Sequence, residues 1–197
     1  EAAERFASAD TKPPLLIEAD LSDPVHLSRA AQEISASLSS VDILINCGGG
    51  YWRGRWNEGT AEVLDDLLRT NVTGAYALTR LLLPRLVQSR GDVVFVVSSI
   101  TQSAGQNAGL YKASKQALAA LADSLRAEFN EQGVRVLSIY PGRTATPQQE
   151  RIHAVEGRAY VPCRLLQPKD IAAIVLACLG LPPTAEVTDL QIRPRLK

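Results

Sequence analysis

The sequence predicts one α/β domain: a doubly wound, mostly parallel sheet with helices on both faces. Three observations point there. Short β-branched apolar runs alternate with stretches of roughly 10 to 25 residues whose apolar positions recur at three and four, the pattern of strands joined by right-handed helical crossovers. The three central runs end in asparagine and glycines, in serines, and in proline-glycine, as strand ends feeding turns do. With 197 residues, 46% of them hydrophobic, the chain can fill one core of this kind, and it shows no internal repeat or low-complexity tract.

Taken in order, Glu1 to Ser8 reads as the end of a helix, Thr11 to Pro14 as a connection, and Leu15-Leu16-Ile17 as a short strand closed by Glu18-Ala19-Asp20. Asp23 and Pro24 supply an N-cap and a first-turn proline for a helix running to Ser39. Val41 to Asn46 is a β-branched strand entering the turn Cys47-Gly48-Gly49-Gly50. Tyr51 to Trp56 is a loop dense in aromatics and arginine, equally suited to a substrate mouth or a subunit contact. Thr60 caps a helical stretch to about Gln88 that contains Gly74 and Pro84. Val93 to Val97 is a strand ending in Ser98-Ser99. From Tyr111 onward Leu118, Leu121, Ala122 and Leu125 mark a long amphipathic helix stopped at Gly133. Val134 to Tyr140 is a further strand turning at Pro141-Gly142. Arg143 to Gln167 has no clean period, and a solvated helix pair is its plain reading. Pro168 opens a helix to Leu179, and Val187 to Ile192 makes the last strand.

Composition excludes several functions. The 21 basic and 21 acidic residues cancel, so there is no electrostatic footprint for nucleic acid. No apolar run reaches membrane-spanning length, and no secretory leader opens the chain, which predicts a soluble, cytoplasmic protein. Cys47, Cys163 and Cys178 are odd in number and far apart, which argues against a disulfide framework and for core cysteines. No His or carboxylate cluster suggests a metal, and His26 reads as a helix surface residue. Methionine is absent even at position 1, and Glu1 begins in mid-helix, the pattern expected of a chain whose N-terminal segment lies upstream.

In a parallel sheet, ligands sit beyond the carboxyl ends of the strands. Asp20, Asn46 to Gly50, Ser98-Ser99 and Pro141 to Thr146 all fall there. The glycines permit close backbone approach to a large ligand, though a plain βα turn also uses them, and Asp20 offers an acceptor. Tyr111 and Lys115 lie one helical turn apart on one face. With five tyrosines and five lysines such a pair arises by chance roughly once in eight sequences of this length, so spacing alone is suggestive. A neighbouring ammonium favours phenolate, which would let the phenol exchange protons with a carbonyl or alcohol oxygen that a serine hydroxyl also holds.

Five motifs in order resemble the short-chain dehydrogenase/reductase family, from about Leu15 to the C-terminus. Tyr111-Lys112-Ala113-Ser114-Lys115 is similar to that family's YxxxK motif. Asn46-Cys47-Gly48-Gly49 stands where the family has NNAG, Asn71-Val72-Thr73-Gly74 where it has its helix asparagine, and Pro141 to Thr146 where it has PGxxxT. Asp20-Leu21 matches the acidic position after the third strand.

The resemblance implies a Rossmann-like fold and an NAD(P)-dependent oxidoreductase acting on a small-molecule carbonyl or alcohol. It implies that Tyr111 gives or takes the proton, that Ser99 polarises the substrate oxygen, and that Lys115 lowers the Tyr111 pKa and binds nicotinamide ribose. Asn71 would hold a relay water. Asp20, Leu21, Asn46, Cys47 and Gly48 would border the adenosine half of the cofactor, and Pro141, Gly142, Thr144 and Thr146 the nicotinamide and phosphates. Residues 143–167 occupy the place of the substrate lid, where arginines would suit an acidic or phosphorylated substrate. The stretch Glu186 to Leu190 followed by Ile192-Arg193-Pro194 leans toward NADP over NAD. A homodimer or homotetramer through the long helices is implied as well, with Tyr76 and Leu78 helping to cover the contact.

Departures accompany the match. Ser99 stands 12 residues before Tyr111, one short of the family's commoner spacing, which Ser98 would restore. Arg143 replaces a commonly apolar residue and could face substrate or an anionic cofactor group. The family's glycine-rich TGxxxGxG turn would lie before Glu1, so residues 1–197 would form a partial cofactor domain with an uncovered sheet face. A non-catalytic dinucleotide-binding or oligomerisation module on the same scaffold is the alternative reading.

Overall fold

The structure, a computed structural model, describes residues 14–195. The helix end expected at Glu1 to Ser8 lies outside them. Four strands form one wholly parallel sheet in sequential order: β1 (Ile43–Asn46), β2 (Asp92–Val96), β3 (Arg135–Pro141) and β4 (Asp189–Ile192). Register aligns Ile43 with Asp92, Asp92 with Arg135, and Ser138 with Asp189, so the carboxyl ends of the first three strands finish side by side. Helices cover both faces, as the alternating pattern predicts.

One core layer packs Leu82 and Leu86 of α3 (Gly74–Ser89) and Leu118 and Ala122 of α4 (Gly109–Phe129) against Val93, Phe95 and Val136 of the sheet. Helix α1 (Pro24–Ser37) adds Ala31 to this side. The other layer sets Val175 of α6 (Pro168–Leu179) against Val94, Leu137 and Ile139. Residues that alternate along β2 and β3 thus serve opposite faces, which explains why these strands read as unbroken apolar runs.

Local chemistry accounts for the helix ends. The Asp23 carboxylate accepts from the Val25 and His26 amides, with Pro24 in the first turn. Thr60 caps α2 (Ala61–Leu68) through the Val63 amide. Helix α4 is closed at Gly133, whose φ of 90° is natural to glycine. The stretch expected from Thr60 to Gln88 is one helical run with a single π-turn, Arg69–Thr73, joining α2 to α3. A π-turn of this kind re-aims the side chains within it.

Two expectations are corrected. Leu15 to Ile17 is irregular, with Leu15 57% and Leu16 54% exposed, because among the described residues no strand lies beside it to complete a ladder. Two of the three cysteines are not core residues either: Cys47 sits in the turn after β1 and Cys163 in a 3-10 turn, both exposed, whereas Cys178 is half-buried and packs against the second core layer. The unperiodic segment after β3 holds one short helix, α5 (Pro147–Val155), and the 3-10 turn Pro162–Arg164.

Candidate active site

A cavity of about 650 Å³ opens at the carboxyl ends of β1, β2 and β3. Its floor is Val96 to Ser99, and its sides are the turn Cys47 to Gly50, the first turns of α4, and the loop Pro141 to Thr146. Tyr111 and Lys115, on one face of α4, both line it. Lys115 is only 4% exposed, and its ammonium donates to the Val96 carbonyl at 2.9 Å. That is the only protein acceptor it has among the described residues, which leaves two of its three N–H groups to serve the cavity. Burial lowers the Lys115 pKa to about 8, opposed by the Cys47 thiol nearby.

The Tyr111 phenol behaves differently from the expectation. Burial holds its pKa above the ordinary value, while a hydrogen bond from the neighbouring Ser98 side chain lowers it and Tyr51 raises it. Ser98 and Ser99 both line the cavity, Ser98 bearing on the phenol's pKa and Ser99 beginning a 3-10 turn.

Asn71 is fully buried in the π-turn. Its Oδ1 accepts from the Gly50 amide at 2.7 Å, and its Nδ2 donates to the Gly50 carbonyl at 3.1 Å and the Ser114 hydroxyl at 2.9 Å. The side chain thereby ties the turn after β1 to α4, between Tyr111 and Lys115. A β-carbon on Gly49 would meet Asn71 Oδ1 at 2.8 Å and Lys115 Nζ at 3.4 Å, so the backbone here comes close only because the residue is glycine. Asn46 turns away, its Nδ2 donating to Thr79 at 3.1 Å.

The other expected residues divide. Pro141, Gly142, Thr144 and Thr146 line the cavity, and the Thr146 hydroxyl also caps α5 through the Gln149 amide. Asp20, Leu21 and Gly48 do not line it. Asp20 is exposed and accepts from the Ser22 amide at 2.8 Å, which with the Ser22 hydroxyl lowers its pKa. Leu21 packs where β-carbons on Gly48 and Gly74 would collide with it. The aromatic-arginine loop divides: Tyr51 and Arg53 face the cavity, Tyr51 edge-on to Tyr111 with centroids 4.8 Å apart, while Trp52, Arg55 and Trp56 line a separate hollow. Glu156 carried no signal in the sequence, yet it receives Arg143 at 2.7 Å and Arg53 at 3.3 Å.

The short chain dehydrogenase family model matches residues 1–157. The chain belongs to that family. It is 32% identical over 185 residues to bovine dehydrogenase/reductase SDR family member 7B, covering 91% of this chain and 57% of that relative. The chain spans about half the length of the curated relatives of this name that it matches. Among solved structures, a short-chain dehydrogenase from Streptomyces avermitilis superposes with a TM-score of 0.73 at 28% identity, over 89% of this chain and 69% of that one. An alcohol dehydrogenase from the archaeon Thermococcus sibiricus, complexed with 5-hydroxy-NADP, gives 0.77 at 22% identity, over 91% and 74%. At such identity the archaeal likeness is one of fold. No helix among the described residues is long and apolar enough to cross a membrane.

Proposed function

We propose that this short-chain dehydrogenase is an NAD(P)-dependent oxidoreductase of carbonyl or alcohol substrates, with Tyr111 as the general acid and base. The observation that supports it is the meeting of the Tyr111 phenol, the Ser98 side chain and the Lys115 ammonium, with two of its three N–H groups unused, on one cavity at the strand ends. Family membership and the NADP-bound archaeal neighbour agree with this reading.

The residues present suit the nicotinamide half of a dinucleotide. Two unsatisfied N–H groups on a buried ammonium fit vicinal ribose hydroxyls, and Gly49 and Gly50 leave room for a ribose against backbone. Thr144 and Thr146 would border the amide and phosphates, with Cys47, Pro141 and Gly142 completing the wall, and Asp20, Leu21 and Gly48 would lie toward the adenosine. Bound nicotinamide would supply or accept the hydride. In reduction, Tyr111 donates its proton to the carbonyl oxygen as the substrate carbon gains the hydride, and Ser98 hydrogen-bonds the same oxygen. A phenol held protonated by burial suits the donor role at neutral pH. Asn71, with its side chain committed to Gly50 and Ser114, would hold the relay water. Residues 143–167 form the substrate lid, pinned by Glu156 to Arg143 and Arg53. NADP is the proposed cofactor over NAD.

Oxidation of NADPH and NADH by the full-length protein with a panel of aldehydes, ketones and quinones tests the reading. Tyr111→Phe should lower kcat/KM by roughly 10²- to 10⁴-fold. An undiminished rate in that variant, or no turnover by the full-length wild type, would refute it.

A further inference from the structure

Beside the cavity just described lies a second of about 620 Å³, which shares Ser99, Gly142, Arg143 and Arg193 with the first. Its lining includes Arg143, Arg158, Arg164, Arg193 and Arg195 and no aspartate or glutamate. The chain as a whole carries no net charge, so five guanidiniums around one hollow are a local concentration.

The negative group these arginines meet is Glu156, whose Oε1 takes Arg143 and Arg53 while its buried Oε2 makes no hydrogen bond. Its carboxylate is 5% exposed and meets three guanidiniums: Arg143 at 2.7 Å, Arg53 at 3.3 Å and Arg158 at 3.6 Å. The Arg143 hydrogen bond is the main cause of its lowered pKa. One carboxylate against three cations leaves a surplus of two positive charges at that point. Arg143 Nη1 is buried without a hydrogen-bond partner. Arg164, Arg193 and Arg195 make no ion pair among the described residues. Like charges in a concave site raise its energy until an anion enters, and a guanidinium meets carboxylate or phosphate through paired, charge-assisted hydrogen bonds.

We propose that this arginine-lined cavity is the substrate's anion subsite, taking a carboxylate or phosphate carried on the same molecule as the carbonyl that faces Tyr111 and Ser98. The inference rests on the proposed oxidoreductase reading for the carbonyl half, and on the arginine cluster alone for the anionic half. The shared wall at Ser99 and Arg143 lets one ligand span both cavities. Arg143 lies between them, its Nη2 fixed to Glu156 and its Nη1 buried without a hydrogen-bond partner.

The test compares 4-formylbenzoate and 4-formylphenyl phosphate with uncharged methyl 4-formylbenzoate in the full-length protein, wild type and Arg158→Gln/Arg164→Gln. Wild type should favour at least one anionic aldehyde over the ester in kcat/KM by roughly tenfold or more, chiefly through KM, and the double variant should bring that ratio near one. Titration of inorganic phosphate by calorimetry, with and without saturating NADPH, gives a readout independent of turnover. Phosphate binding that survives NADPH and is lost in the double variant supports the subsite. Binding abolished by NADPH assigns the arginines to the cofactor and overturns it, as does equal use of ester and acids by the wild type. Phosphate binding of the expected kind with no turnover of any aldehyde keeps the subsite and refutes the oxidoreductase reading instead.

Discussion

At the residue scale, Lys115 makes the sharpest statement about pH. An ammonium that is 4% exposed with one acceptor is disfavoured in the native state, and its pKa falls from 10.5 to about 8. Between those values the unfolded chain holds a proton the native chain has released, so this residue makes stability rise with pH across that window. Below about 8 the folded protein carries the whole penalty, on the order of 3 kcal/mol. Urea unfolding at pH 7 and pH 10 should therefore show wild type gaining on Lys115→Met by roughly 2–3 kcal/mol. Identical pH dependence in the two proteins would mean that the ammonium is not desolvated as described. The neighbouring serines make a second residue-scale prediction. Both serines line the cavity and Ser98 bears on the phenol's pKa; we propose that it is the one that holds the substrate oxygen, so Ser98→Ala should lower kcat/KM with an uncharged aldehyde by roughly tenfold more than Ser99→Ala does. Equal losses would return the role to Ser99.

At the element scale, the run from Ala61 to Ser89 matters because its π-turn presents Asn71 to the turn after β1 and to α4. An unbroken α-helix through Arg69–Thr73 would rotate Asn71 off that line. Gly74 begins α3 with the Leu21 carbonyl packed where a β-carbon would stand. Glycine-to-alanine in a helix interior ordinarily stabilises by about 1 kcal/mol. Here the obstruction is backbone and cannot rotate away, so Gly74→Ala should destabilise by about 1–3 kcal/mol, measured by denaturant midpoint at constant m-value. A stabilised variant would contradict the packing of Leu21 against α3. Glycine in Asn71-Val72-Thr73-Gly74 was visible in the sequence as part of a motif, but the carbonyl that requires it belongs to a segment 53 residues earlier.

For the whole molecule, the core is two layers on a parallel sheet, and the long helices leave their outer faces to solvent, where Tyr76 of α3 is 50% exposed. We propose that this face joins copies of the chain into a dimer or tetramer. Sedimentation should give a multiple of the protomer mass, and Tyr76→Glu should lower it toward the protomer by placing a charge in an apolar contact. A wild type sedimenting as a monomer would count against the proposal.

What the sequence determined by itself was the order of strands and helices and most of their ends, with Tyr111, Lys115 and Pro141 to Thr144 among the residues that line the cavity. Those depend on local periodicity, on Asp23, Thr60 and Gly133 as punctuation, and on motifs whose spacing is short. Tertiary structure decided the rest. It turned Asn46 toward Thr79, drew Lys115 to the Val96 carbonyl, and left Leu15 to Ile17 unpaired. It also brought Arg53, Arg143 and Arg158 onto one buried carboxylate, from positions as far apart as 105 residues. The division has a physical reason. Secondary structure follows from interactions within a few residues, whereas side-chain partners and pKa shifts follow from desolvation and contacts among elements remote in sequence, which form only when the sheet assembles.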